Sequence, residues 1–325
     1  MSGDQHREEN RWRWAIVGVR WIAGLVVVAA LVHYFPTGSL RAAIARIPGS
    51  VFVLVLLGYL LAHAVGILKW RMVVNAAGAG LDFSTSAQCY AGGLFGTLFL
   101  PSIVGGDVIR LAVGLRRSAR PAAVLAGNIA DRFLDVAAQG GLVLLGLVLL
   151  PQAVSPEFAS RAKLFLSLGI VAGAIIVVTA VALWKRVLAN GRSIRFRRRL
   201  VSWRQAWRSV SRRPHVLVLG WAMGTGIQTA FLLLTAQLAA YCGLNLPLRM
   251  WFFSWPLAKL AAILPLTQGG IGVREAALVG LLAPFGAPGP LVLAAGLLWE
   301  GVIVAGGLVA GLVALMLGRK SSVSS

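Results

Sequence analysis

Apolar runs of about 20 residues recur along the chain, roughly at 15–35, 51–75, 121–150, 163–184, 215–241 and 291–317. Each is long enough to cross a hydrocarbon core of about 30 Å as one helix. Charged residues make up 13% of the chain, against about 25% in a soluble domain. The chain therefore reads as an all-α polytopic membrane protein with no soluble domain of any size. The stretch before Ala15 is a short polar arm. Arg20 interrupts the first apolar run and no small-x-small cleavage site follows Val32, so the first run is expected to stay as an uncleaved helix. Two further stretches, about 84–113 and 250–283, differ from the six runs because proline and paired glycine split each in the middle.

Orientation follows from the loop at 185–214, which holds eleven Lys and Arg and no acid. Such a loop stays cytoplasmic. If both split stretches dip in and return on one side, Arg7, Arg11 and Arg13 lie in the cytoplasm. So do Arg116, Arg117 and Arg120, and so do Arg319 and Lys320. If both stretches spanned fully, the two termini would move outside and the bias would weaken. Re-entrant hairpins and cytoplasmic N- and C-termini fit better. Within the basic loop, Leu200, Trp203, Trp207 and Val210 follow a 3–4–3 spacing, which predicts an amphipathic helix on the inner membrane surface. The formal charge of +21 is thus spent on loops and anionic lipid, and no nucleic-acid partner is expected.

The split stretches carry two copies of one motif. "LPSIVGGDVIR" runs from Leu100 to Arg110, and "LPLTQGGIGVRE" from Leu264 to Glu275. Pro101, Gly105, Gly106 and Arg110 align with Pro265, Gly269, Gly270 and Arg274 at one common offset of 164 residues. Each copy follows two spans and precedes a third. Three crossings per half is an odd number, so the second half must be inverted relative to the first. The expected architecture is two inverted repeats, each of three transmembrane helices plus one re-entrant helical hairpin. The first repeat covers 1–150 with its hairpin at about 84–113, the second 151–325 with its hairpin at about 250–283. Inverted repeats with broken helices build midplane sites in many transporters. Proline removes a backbone donor and paired glycines let the chain turn tightly. The freed backbone groups must be buried in protein or line a wet cavity. A helix N-terminus aimed at such a cavity would attract an anion, and the glycines would let a phosphate approach the backbone.

Five of the ten acids, Asp107, Asp131, Asp135, Glu275 and Glu300, lie inside apolar segments, with Arg110, Arg132, Lys259 and Arg274. A charge at the bilayer centre costs at least about 2.5–3.5 kcal/mol, so these groups must face the interior, pair, or sit near an interface. Asn128, Asp131 and Asp135 share one helical face, with Arg132 beside Asp131. Two readings stand side by side. In one, Arg132 pairs with a carboxylate and locks the bundle. In the other, Arg110, Arg132, Lys259 and Arg274 form a cationic lining for an anionic head group, with the acids as proton carriers or internal counter-ions. His33 and His63 read as interfacial or packing residues, Cys89 and Cys242 as small core residues, and the GxxxG pairs Gly92/Gly96 and Gly307/Gly311 as close helix contacts. No Walker A, HExxH or GxSxG pattern occurs, so no cofactor, metal or catalytic residue is expected.

The run from about Gly58 to Leu150, with "KWR", "LPSIVGGDVIR" and "DR", together with "GGIGVREAAL", resembles the flippase-like membrane domain family. That family includes the transmembrane part of lysylphosphatidylglycerol synthases and stand-alone relatives. The resemblance implies handling of lipids or lipid-linked head groups at a bacterial cytoplasmic membrane. Its motif positions fall on Pro101, Gly105, Gly106, Asp107, Arg110, Asp131, Arg132, Gly269, Gly270, Gly272, Arg274 and Glu275. One departure is Glu300 in "WEG", where relatives often carry a basic residue; it bears on a symmetric arginine pair and on head-group preference.

Three functions follow as expectations. The first is a flippase that moves an anionic lipid, a polyprenyl phosphate or a lipid-linked precursor by alternating access at the two hairpins. Its site is Pro101, Gly105, Gly106, Arg110, Arg132, Lys259, Gly269, Gly270 and Arg274, with Asp107, Asp131, Asp135, Glu275 and Glu300 for coupling or ion pairing. The second is an integral-membrane head-group transferase. The third is a non-transporting accessory subunit of a lipid synthase. Expected partners are a membrane lipid with an anionic head group and either a second copy of the chain or a lipid-synthesis enzyme.

Overall fold

The computed structural model describes residues 22, 25–26, 29–30, 33, 37–100, 105–149, 194–262, 267 and 269–323. The expected span at 163–184 and most of that at 15–35 lie outside the described residues, as do Pro101 and Pro265. Every regular element among the described residues is helical. In chain order they are α1 (Thr37–Ala45), α2 (Gly49–Ala76), α3 (Phe83–Thr97), α4 (Gly105–Arg117), α5 (Pro121–Leu149), α6 (Ile194–Ser211), α7 (Pro214–Tyr241), α8 (Leu248–Ala261), α9 (Val273–Leu282), a 3-10 turn (Ala283–Phe285) and α10 (Gly289–Val323).

Four helices are long and apolar enough to cross a membrane: α2, α5, α7 and α10 over Gly289–Gly318. They match the expected runs at 51–75, 121–150, 215–241 and 291–317. Proline sets their starts. Pro121 and Pro214 open α5 and α7, where a missing N–H costs nothing, and Pro48 precedes α2. Glycine sets two of their ends. Gly78 (φ 98°) follows α2 and Gly243 (φ 93°) follows α7. At the first, Ala79 N–H donates to the Val74 carbonyl; at the second, Leu244 N–H donates to the Ala239 carbonyl. This is the same Schellman closure, and the two copies lie 165 residues apart.

Each split stretch forms a pair of short helices. α3 has 15 residues and α9 has 10, so they are about 22 Å and 15 Å long, short of a membrane core of about 30 Å. α3 starts at Asp82, whose carboxylate accepts from the Thr85 N–H at 3.3 Å. That bond holds the exposed Asp82 carboxyl below its usual range.

The long helices cross between two apolar cores. One gathers Leu40, Tyr59, Phe231, Trp251, Leu278 and Trp299; the other gathers Trp70, Val74, Tyr90, Val124, Ala206 and Val210. α2 and α7 run antiparallel from core to core: Gly58 faces Leu234, and Gly220 faces Val73. The pairings repeat when the halves are exchanged. α3 packs on α10 as α8 packs on α5; α2 meets α5 as α7 meets α10; α4 lies on α5 as α9 lies on α10. The expected GxxxG contacts are of this kind. Gly307 sits against Leu98 and Gly311 against Phe95, while Gly92 and Gly96 both admit Ile109 of α4.

The expected amphipathic helix is α6. It packs on α5 and α7 through Ala206 and Val210, with Trp203 half-buried and Trp207 edge-on to Phe133 at 6.4 Å. Large apolar side chains such as Leu54, Leu61, Val148, Val218 and Leu315 point outward, as a lipid-facing surface requires.

Candidate functional site

The intramembrane charges form two groups. The first joins α2, α4 and α5. Lys69 stands 2.9 Å from Asp131 Oδ1 and also donates to Asp135 Oδ1. Arg132 reaches all three aspartates, Asp107 at 3.3 Å, Asp131 at 3.3 Å and Asp135 at 3.2 Å. Arg110 lies 3.4 Å from Asp107 and 3.8 Å from Asp131, with its guanidinium 4.2 Å over the Tyr90 ring. Three cations face three anions. Such a buried network holds only while both signs are present, because removing either leaves a charge unpaired. Trp70 donates to Asn128 Oδ1 at 2.9 Å and closes its apolar side.

The second group joins α7, α8, α9 and α10. Arg274 Nη2 lies 2.7 Å from Glu275 and 2.5 Å from Glu300. The backbone N–H of Gly272 donates to Glu275 Oε2 at 2.7 Å. At the N-terminus of α9 the anion held is the protein's own Glu275. Lys259 donates to Gln228 Oε1 at 2.6 Å and lies 5.0 Å from the Phe231 ring. Among the described residues it has no carboxylate within ion-pair distance.

A cavity of about 130 Å³ opens beside this second group. Lys259, Arg274 and Glu300 line it, with Tyr59, Trp255 and Trp299 as aromatic walls. It sits where the two short-helix pairs meet: Leu98 at the end of α3 and Gly269 before α9 both line it, and the Thr97 carbonyl lies beside Gly269. Leu98 packs on Gly307, near the middle of the apolar length of α10, and Lys259 meets Gln228 at the middle of α7. The indole N–H of buried Trp255 has no acceptor among the described residues. His63 links the two groups. It lines the cavity, stands edge-on to Tyr59 at 4.4 Å, and its Nδ1 is 3.3 Å from the Tyr90 hydroxyl that Gly66 makes room for.

The predicted residues thus divide. Asp107, Arg110, Asp131, Arg132 and Asp135 come together in the first group; Arg274, Glu275 and Glu300 in the second, with Lys259 near them. The glycine pairs do different jobs. A side chain on Gly106 would meet the Gly93 carbonyl at 2.5 Å, so Gly106 lets α3 and α4 touch. Gly269 and Gly270 take φ of 60° and 82°, which the turn into α9 requires. Gly105 opens α4. Sequence reasoning missed Lys69, Gln228, Tyr90 and Trp255 as members of the site. Lys69 stands in "KWR" near the end of an apolar run, where its position alone does not tell an interfacial anchor from an inward-facing cation, and the other three are uncharged and carry no signal.

Comparison with known proteins bears on these residues together. The family model described as the lysylphosphatidylglycerol synthase TM region matches residues 21–311, which contain both charge groups and the cavity. Neither the curated proteins nor the solved structures gave a match.

Proposed function

The chain belongs to the family of the lysylphosphatidylglycerol synthase transmembrane region, and from that premise we propose that it moves a lipid with a phosphate-bearing anionic head group between membrane leaflets. An anionic lipid, a polyprenyl phosphate and a lipid-linked precursor all share that chemistry. The head group occupies the cavity between the two short-helix pairs, and the acyl or prenyl chain stays in lipid. Each short-helix pair acts as a re-entrant hairpin, and the two halves act as inverted repeats that open the cavity to one side and then the other. The reading is of a carrier in a bacterial cytoplasmic membrane, with both termini in the cytoplasm, and not of a transferase.

One observation carries this reading. A cavity near mid-depth holds a cation, Lys259, that has no carboxylate partner among the described residues, beside an indole N–H, that of Trp255, without an acceptor. A cation held out of contact with any carboxylate in a low-dielectric site leaves a contact position that an anionic oxygen can fill. Support for the hairpins comes from helices too short to span whose ends meet near the middle of α7 and α10. Support for the repeats comes from the exchanged pairings and the matching Schellman ends.

The test is leaflet exchange of a fluorescent phosphatidylglycerol in proteoliposomes, read by quenching from one side. Lys259→Ala is expected to slow exchange by at least about tenfold, the weight of one charge-assisted contact, with unchanged expression and monodispersity. Arg274→Ala is expected to slow it at least as much while lowering the yield of folded protein, since it strands Glu275 and Glu300. Wild-type rates in both variants would remove the proposed site. Formation of a modified lipid without any change of leaflet would point to a transferase.

A further inference from the structure

Resting on that head-group site, we propose that the phosphate enters the cavity together with one proton: the head group takes the place of Glu300 beside Arg274, and Glu300 leaves the ion pair as a neutral acid.

Arg274 has two carboxylate partners, and they are held differently. Glu275 is 1% exposed and fixed from three sides. It accepts from the Gly272 N–H and from Arg274, and its side chain fills the space at Gly296, where a Cβ would lie 2.8 Å from Glu275 Cγ. Glu300 makes one ion pair, its side chain is 16% exposed, and it lines the cavity. Of the two, only Glu300 can turn away without undoing the start of α9. Lys259 stands across the cavity as the second cation, and the Trp255 N–H supplies a further donor.

Charge then requires the proton. Arg274 and Lys259 carry two positive charges, Glu275 and Glu300 two negative. A phosphodiester monoanion entering this balanced set would leave one negative charge in excess in a region that water does not screen. One proton on the released Glu300 carboxylate, given up by the buffer acid and carried in through solvent, restores the balance, and no other covalent bond is made or broken. The titratable groups around Glu300 are Tyr59 and His63 from α2, Lys259 from α8, and Arg274 and Glu275 from α9. The lining residues from α3 and α7 do not titrate, and Arg41 of α1 and Arg46 just after it are exposed. Asp135 of the first charge group acts on Lys259 from α5. His63 and Lys259 are the other groups on the cavity wall that can exchange a proton, and the test must separate both from Glu300.

The full chain in detergent is titrated with dioctanoyl phosphatidylglycerol, whose phosphodiester keeps its charge from about pH 5.5 to about pH 8.5. Binding is read by tryptophan fluorescence, since Trp255 and Trp299 line the cavity. Proton uptake is read by calorimetry in two buffers of different ionisation enthalpy. The wild type is expected to take up close to one proton per lipid, with affinity falling up to about tenfold per pH unit above the titration of Glu300. Glu300→Gln is expected to bind with an affinity that no longer changes with pH and without proton uptake. Glu300→Asp keeps the coupling and serves if Glu300→Gln does not fold. Wild-type binding without proton uptake overturns the exchange and leaves the head-group site standing. Coupling that persists in Glu300→Gln moves the proton to His63 or Lys259 and overturns it too. Equal, pH-independent binding of dioctanoyl phosphatidylcholine does the same. No binding at any pH rejects the head-group site itself.

Discussion

Lys69 is the residue on which the first charge group turns. It is 2% exposed and is the one cation that α2 brings to Asp131 and Asp135. Arg132 stands at the more open end of the same group, with 36% of its side chain exposed. Lys69→Met leaves three aspartates facing two arginines and is expected to destabilise the fold by about 3–5 kcal/mol, the cost of stranding a buried charge. Adding Asp131→Asn restores the balance and should return part of that loss. Thermal unfolding in detergent reads both, and a Lys69→Met midpoint equal to wild type would show that the group does not hold the bundle. The arginines were legible in the sequence because a repeated motif carried Arg110 and Arg274. Lys69 was not, because a lysine near the end of an apolar run looks the same whether it anchors at the interface or reaches inward. Its partners are 62 and 66 residues away on another helix, a distance no local spacing encodes. The hold on Glu275 was hidden for a different reason: the residue it caps is Gly272, which has no capping side chain to signal a helix start.

The limits of the elements were the most readable part of the chain. Proline at the starts and glycine at the breaks mark α2, α5, α7 and α10 and the two short-helix pairs, because each acts on the backbone at its own position. Which helix each element packs on was not readable, since closeness depends on what lies opposite a glycine. Gly146 of α5 and Gly311 of α10 are 165 residues apart, as are Asp135 and Glu300, so the repeat extends into the last helix of each half. The two glycines meet different neighbours. A Cβ on Gly146 would lie 2.5 Å from the backbone nitrogen of Phe253, and one on Gly311 would lie 2.5 Å from the ring of Phe95. Nothing lies within 4 Å of the same point on Gly226 in α7. Alanine in place of an interior helical glycine gains about 0.5–1 kcal/mol where there is room. Gly226→Ala is therefore expected to raise the unfolding temperature. Gly311→Ala should be destabilising, because Phe95 Cγ would lie 2.9 Å from the new Cβ and does not move when the ring turns. Gly146→Ala should cost about 1–3 kcal/mol, since the backbone of α8 must retreat. Equal stability of Gly146→Ala and Gly226→Ala would mean that α5 and α8 do not touch there.

At the scale of the whole molecule the two halves exchange partners, so that the first helix of each short-helix pair rests on the last helix of the other half. The offset between motif copies makes a repeat visible in the sequence, but only tertiary contacts reveal this exchange. It ties the ends of the molecule into two sets. Ser118 and Arg120 hydrogen-bond to the carbonyls of Ala79 and Gly78, and α6 packs on the same core, so residues 78–81, 118–120 and 206–213 share one end. Gly243 lies against Arg46, and Leu244, Leu282 and Val292 belong to the other core, at the opposite end. If the halves are inverted in the membrane, one short-helix pair opens toward each side, and the basic end is cytoplasmic. Single cysteines at Ala119, Arg212, Asn245 and Ala283, all exposed positions, test this. The background is low, because Cys89 and Cys242 are buried and burial pushes the Cys242 thiol up to about 11, away from the thiolate that reacts. A membrane-impermeant maleimide is expected to label Asn245→Cys and Ala283→Cys on intact spheroplasts, and Ala119→Cys and Arg212→Cys only in inside-out vesicles. Labelling of Ala119→Cys and Ala283→Cys from the same side would place both hairpin mouths on one face of the membrane, and alternating access between them would lose its geometric basis.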